Sequence, residues 1–444
     1  MVAASTAISS NPITVVIVLV VLVLASRVII TRVALAEAKP WLVSIMTISL
    51  ILHLAAAPAQ IFVTHHFYHG IADWVRYEHQ GANLAPGFRH LNFSLQPGNL
   101  RGIVNDGSVS IAAGVVFAIV GINQLASFLV FSWLAFLGTV LFFRAFSMTF
   151  AGADQRRYAY LLFFFPSMIF WTADVSKEAI MMPSLGLLAY GAAKILAHRR
   201  GGVSMAVLGV AVGFFIRPNE LLLVVAGFTV AMLVSQTGSL QRTSPGRRLL
   251  SIIFFGTLLA VSIYLTFHYL HGSGGTLSLN KVQQNNNVGG SGGVPYSSSL
   301  LTYPRDFYTV LFDPLPFTFH GMGELVASLE NSLLLVLVFA SFRQLRVVPR
   351  AVFARAYVMM CLVYSAVFLY AFAALGNLGL ITRERALLFP FLLVLVSIPR
   401  TPKGLAPRYE WEVRRGDRRR MRAQRARRRM PPPNPPRVRL PASG

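Results

Sequence analysis

Charge is what this sequence has least of. Asp, Glu, Lys and Arg make up 13% of its 444 residues, about half the share with which a soluble domain covers its surface. Acids are the scarcer sign, 16 against 40 Lys and Arg. Cysteine is nearly absent: Cys361 stands alone inside an apolar run, which excludes an intramolecular disulfide. There is no Walker GxxxxGK[ST], no strand-borne GxGxxG and no GxSxG elbow on a strand, which argues against ATP hydrolysis and against a soluble lobe that binds nucleotide sugars.

Apolar residues fill the space that charge leaves. They are 55% of the chain, and the mean hydropathy is +0.59. Residues 13–30, 41–63, 249–270 and 356–375 form runs of the length that a bilayer core of about 30 Å asks of a helix. None alternates in polarity as a barrel strand does. The expected fold is an all-α integral membrane protein of about 11 transmembrane helices, over 13–31, 41–63, 122–143, 158–173, 179–197, 203–216, 221–237, 249–271, 325–342, 356–376 and 387–399.

Lys and Arg orient these spans. The first 26 residues carry no charged side chain, and Arg27, Arg32 and Lys39 follow the first apolar run. A cleaved signal peptide has the reverse order, so a retained first helix with the N-terminus outside is expected. Alternate connections then separate by charge. One set, with the helix ends beside it, holds 16 Lys and Arg and only two acids, Glu37 and Asp154; the other holds nine and 11. Basic loops mark the cytoplasmic side. The C-terminus is therefore cytoplasmic and the expected location is the plasma membrane.

Residues 400–444 hold the remaining 15 basic residues and three acids. An arginine run over 414–429 and a proline-rich stretch over 431–436 cannot build a packed core, and a disordered tail lying on anionic head groups is expected. Nucleic-acid binding has neither a fold nor interleaved aromatic residues behind it. Two outer segments are long, 64–108 and 271–324. Residues 111–120 are too few to span and read as an interfacial or re-entrant helix. The second segment, with its glycine and asparagine runs, reads either as a loop that closes over a substrate or as an inert flexible spacer.

Span lengths point to a site. At 1.5 Å per residue, Arg157 to Asp174 covers about 26 Å, Gly201 to Arg217 about 24 Å and Arg385 to Arg400 about 22 Å, all short of the hydrocarbon core. Asp174, Lys177, Glu178, Arg217, Glu220, Arg383, Glu384 and Arg385 should therefore lie below the outer surface, where ionisable groups pair with one another or face a water-filled cavity. Local roles are equally legible. Ser176 can cap a helix starting at Lys177, and Pro218 suits a first helical position, with Arg217 paired to Glu220. The first outer segment adds Asp73, Arg76, Tyr77 and Glu78, and Asp73 has the chemistry of a general base toward a hydroxyl. His65, His66, His69 and His79 lack a zinc spacing such as HExxH and fit an interfacial aromatic belt; no metal or other cofactor is expected.

Three stretches resemble a broad group of bacterial envelope proteins, the multi-pass glycosyltransferases and polysaccharide polymerases that use polyprenyl-linked sugars. Residues 165–178, FPSMIFWTADVSKE, resemble that group's Phe-Pro-Ser, Trp and Ser-Lys-Glu segment. Residues 313–317, DPLPF, with Ala327-Ser-Leu-Glu330, resemble its Pro-x-Pro-aromatic stretch before a Ser-Leu-Glu helix. Residues 376–385, GNLGLITRER, leading to Pro390, resemble a Gly-x-x-Arg-x-Arg segment before the last span.

The resemblance implies transfer of a sugar from a polyprenyl phosphate or diphosphate donor to a glycan acceptor at the outer face. Lys177, Arg217, Arg383 and Arg385 would hold phosphate, and Asp73, Glu78 or Asp174 would act as the base. Two other classes stay open: a transporter or flippase of a lipid-linked or anionic solute, and a non-catalytic membrane partner acting through the basic tail.

Overall fold

The computed structural model describes residues 11–67, 70, 72–93, 106–151, 153–238, 253, 257, 303–317, 322–373 and 378–399. Every regular element among them is helical. In chain order these are α1 (Pro12–Glu37), α2 (Trp41–Phe67), α3 (Asp73–Arg89), α4 (Asp106–Val120), α5 (Gln124–Thr149), α6 (Arg156–Phe164), α7 (Pro166–Phe170), α8 (Lys177–Leu196), α9 (Gly202–Ile216), α10 (Pro218–Gly238), α11 (Tyr303–Phe312), α12 (Met322–Ala340), α13 (Phe342–Leu345), α14 (Val348–Ala354), α15 (Ala356–Ala373) and α16 (Leu378–Val396).

By length and composition, four of them are able to cross a membrane: α1, α2, α5 and α8. Several shorter helices, among them α4, α9 and stretches of α10, α12 and α15, are apolar as well. The expected span 249–271 (apart from residues 253 and 257), the glycine and asparagine runs of the second long segment, His69 and the basic tail lie outside the described residues.

The centre of the fold is α5 against α8, and glycine lets them meet. A Cβ on Gly138 would stand 2.5 Å from the Met182 carbonyl carbon and 2.6 Å from its oxygen. Only a residue with no side chain permits that approach. Phe128, Phe131, Phe136, Phe142, Phe143 and Phe146 of α5 are fully buried. In α1, by contrast, only 22% of the apolar window is buried, against 67% in α5 and α8, so α1 is peripheral and turns most of its Val and Ile side chains outward.

Four expected segments need correction. The span 158–173 is not one helix. It breaks at Phe165, which is extended before Pro166, because proline disfavours helix in the residue before it and removes a donor. The last span begins at Leu378 rather than 387, so Arg383, Glu384 and Arg385 sit inside a helix. The first long outer segment contains α3, whose buried Trp74, Tyr77, Glu78, Gly81, Ala82, Ala85 and Phe88 recur at helical spacing, and the second contains α11.

Residues 111–120 do belong to a short helix, α4, which lies against α3. Arg89 donates to the Phe117 and Ala118 carbonyls at the far end of α4 (3.0 and 3.2 Å).

Ion pairs among the described residues fall into two groups, at the two ends of the helices. At one end Glu37, Lys39, Ser147 and Gln155 form a connected set, Arg157 reaches Ser341 (2.5 Å), and Arg355 donates to the Thr149 carbonyl. At the other end lies a larger ionic network that includes Glu178, Arg217 and Arg383.

Candidate functional site

The network begins at a cap. Ser176 accepts from the Ala179 amide (3.3 Å), which starts α8 at Lys177 and makes Lys177 and Glu178 its first two residues. Successive helical side chains diverge by about 100°, so the two reach different partners. Lys177 meets Asp106 at the start of α4 (2.7 Å), while Glu178 turns inward and is fully buried.

Pro218 opens α10 as its first residue, and Arg217 precedes it in a non-helical conformation that swings its guanidinium onto Glu178 (2.7 Å), Glu220 and Glu384. The other Glu178 oxygen accepts from Arg383 (2.7 Å), which also reaches Asp73 (3.2 Å). The result is an alternating chain from Glu220 and Glu384 through Arg217, Glu178 and Arg383 to Asp73. It runs from the buried interior to the surface, where the Asp73 side chain is 55% exposed.

Two further carboxyls flank this chain without ion-pairing. Asp174 is buried beside Gln60, Ser176 and Arg383; burial pushes it up to about 6, against the pull of Arg383 and Ser176. Glu78 accepts from Ser127 (2.7 Å) and Gln124 (3.3 Å); burial raises it to about 7 despite those bonds. On the opposite flank, Asp106 accepts from Arg76 (2.7 Å), Tyr77 (3.0 Å) and Lys177. Burial pushes its carboxyl upward, but Lys177, Arg76 and Tyr77 outweigh that and hold it below the ordinary range.

Six of the seven expected site residues, Asp73, Glu78, Asp174, Lys177, Arg217 and Arg383, thus meet in one region. Arg385 does not. Two positions beyond Arg383, it points about 200° around the helix. There it is fully buried and donates to the carbonyls of Val310 (3.1 Å) and Leu311 (2.8 Å).

Nearby, Glu330 accepts from the amide (2.7 Å) and hydroxyl (2.5 Å) of Ser167, just past the α6–α7 break. Comparison with known protein families, curated proteins and solved structures finds no match.

Asp106 is the site residue that sequence reasoning passed over; its signal was an acid opening the apolar run 107–120, a first-turn position favoured by the helix dipole. The histidines behave as aromatic surface: His66 stacks on Phe62 at 5.1 Å, His65 meets Trp74 edge-on at 6.1 Å, and His79 is exposed. Among the described residues no group of three or more His, Cys, Asp or Glu could hold a metal ion.

Charge in the region is unusual in its sign. Among the described residues, Asp73, Glu78, Asp106, Asp174, Glu178, Glu220 and Glu384 face only Arg76, Lys177, Arg217 and Arg383. Each of these cations already touches a carboxylate, so an arriving anion must displace one.

Proposed function

We propose that this chain is a plasma-membrane glycosyltransferase or polysaccharide polymerase that acts at the outer face on polyprenyl phosphate- or diphosphate-linked sugars in envelope glycan synthesis. It would cross the bilayer eleven times, with the N-terminus outside and the C-terminus cytoplasmic. The meeting of helix ends supports that topology. The ends that loop charge assigns to the outside carry the Arg217 network, and those assigned to the cytoplasm carry the Glu37–Lys39 set.

One observation carries the catalytic reading: Asp73 and Arg383 stand 3.2 Å apart at the open end of a buried ion chain. Glu78 and Asp174 are shut away from solvent, which leaves Asp73, of the three expected bases, as the one an acceptor can reach. Asp73 takes the proton of the acceptor hydroxyl as its oxygen bonds to the anomeric carbon. The bond from that carbon to the phosphate oxygen breaks, and its electron pair leaves with the phosphate. Negative charge grows on the leaving group, and guanidinium held in place by buried carboxylates stabilises it at that moment. Arg217 acts behind Arg383, by fixing the Glu178 carboxylate on which Arg383 rests. A sugar acceptor, a lipid-linked donor and anionic membrane lipids are the partners of this scheme.

Replacing the Asp73 carboxylate with an amide tests it. Asp73→Asn, expressed at the normal level in a deletion host, should lower glycan product by about a hundredfold or more, the lower range for loss of a general base. Wild-type product from that strain removes the catalytic reading.

A second reading, a transporter or flippase of a lipid-linked or anionic solute, is favoured by the break at Phe165 with the buried Glu330 against it, since broken helices with polar groups mark transport sites. Access separates the two readings: a transporter exposes Glu330 or Arg385 alternately to both faces, and the transferase needs only the outer one.

A further inference from the structure

The transferase reading requires a place for the donor's diphosphate, and the cations differ in their readiness to supply it. Arg217 is held by three carboxylates and its side chain is only 10% exposed. Arg385 is on another face, bonded to carbonyls. Arg383 is held on Glu178 and Asp73, where it can meet the leaving oxygen but not carry the diphosphate alone.

Arg76 and Lys177 are different, because both rest on the single carboxylate of Asp106. Arg76 donates to one oxygen at 2.7 Å; Lys177 and the Tyr77 hydroxyl donate to the other at 2.7 and 3.0 Å. The side chains of Arg76, Lys177 and Asp106 are 38%, 18% and 22% exposed, so the cluster is open to an entering group. A buried edge remains unused as well: Arg76 Nε has no hydrogen-bond partner among the described residues.

We infer that Asp106 occupies an anion site, holding between Arg76, Lys177 and Tyr77 the place that the diphosphate of a polyisoprenyl lipid takes when Asp106 turns away. This rests on the transferase reading for the ligand's identity and on the geometry for the site. Three donors from α3 and α8 converge on one anion, the arrangement by which guanidinium, ammonium and hydroxyl groups grip phosphate oxygens.

A carboxylate offers two oxygens and one charge; a diphosphate offers more of both. The exchange leaves no cation unpaired. The α3–α4 pair also has other ties, through Arg89 and the Gly81–Ala113 contact. Partly exposed ion pairs add little to stability, so the Asp106 pairing is not needed to hold the hairpin together.

The full-length protein in lipid nanodiscs, titrated with farnesyl diphosphate, tests the site. Asp106→Asn should bind about tenfold more tightly than wild type, because the internal competitor has lost its charge. Arg76→Gln and Lys177→Gln should each bind about tenfold more weakly, the loss of one charge-assisted contact.

Thermal unfolding verifies that each variant is folded. Asp106→Ser, which also lacks the charge, serves if the asparagine variant is not. Folded Asp106 variants that bind no tighter than wild type overturn the inference, as does equal binding by all the variants. Inorganic pyrophosphate is the second probe: the same ranking at lower affinity supports the lipid headgroup, and affinity equal to that of farnesyl diphosphate overturns the lipid assignment. Glycan output is scored separately. If the ranking holds while Asp73→Asn keeps wild-type output, the anion site stands and the transferase reading falls; if the ranking fails while Asp73→Asn loses output, the reverse is true.

Discussion

Glu178 is the residue on which the ionic network turns. One carboxylate receives two guanidinium groups from different helices, Arg217 from the α9–α10 turn and Arg383 from α16. Buried ion pairs gain little over apolar packing, but removing one member of such a pair is expensive because the other charge is left uncompensated. The network is thus better understood as holding Arg383 and Asp73 in place than as stabilising the fold.

Glu78 makes a separate prediction, since it lies on α3, outside the long apolar helices. Its carboxyl titrates at about 7 in the folded protein against an ordinary 4.5, with burial the main cause. Between those values the folded state binds more protons than the unfolded one, so stability falls with rising pH there. The stability present below pH 4.5 is lost as pH rises through 7. Glu78→Gln should flatten this slope in thermal unfolding measured across pH 4.5–7.5; an unchanged slope would show that Glu78 does not titrate in that window.

Among elements, the contact between α5 and α8 carries the clearest steric demand. A methyl group at position 138 would fall on backbone atoms of Met182 and Pro183, which cannot rotate away as a side chain can. Gly138→Ala should cost about 1–3 kcal/mol, the usual range for overpacking, read as a lower midpoint of thermal unfolding in detergent. The same α8 carries Lys177 and Glu178 at its start, so separating the helices should also loosen the ion chain. An unchanged midpoint would mean that the two helices leave room for a methyl group between them. The α6–α7 break illustrates the opposite device. There a proline interrupts a helix, and the buried Ser167 amide that the break leaves without a helical acceptor donates to Glu330.

At the scale of the whole molecule, the sidedness of the helix ends is the testable property. With Cys361 replaced by alanine, the chain has no thiol, and single cysteines can be introduced at His90 and Arg200, both exposed. A membrane-impermeant maleimide should label His90→Cys in intact cells and label Arg200→Cys only after the membrane is opened. Labelling of both in intact cells would reject the proposed orientation. It would also move the Asp73–Arg383 site away from the side on which an outer-face glycan acceptor is found.

Much of this is legible in the amino-acid sequence. Long apolar stretches announce α1, α2, α5 and α8, because a backbone surrounded by apolar side chains must bond to itself. Ser176 and Pro218 mark helix starts through local hydrogen bonding and backbone geometry, both set within a few residues. The periodicity of α3 is present too, masked by the polar residues on its outer face.

Which cations share a carboxylate is not legible there. Asp106 and Lys177 are 71 positions apart, and Arg217 and Glu384 are 167 positions apart; only the folded arrangement of helix ends brings them within bonding distance. The opposite directions of Arg383 and Arg385 likewise depend on where α16 begins. The chain itself thus determined which segments are helical and which of their ends carry charge. Tertiary packing alone selected the pairs, since electrostatic partners are chosen by proximity in space.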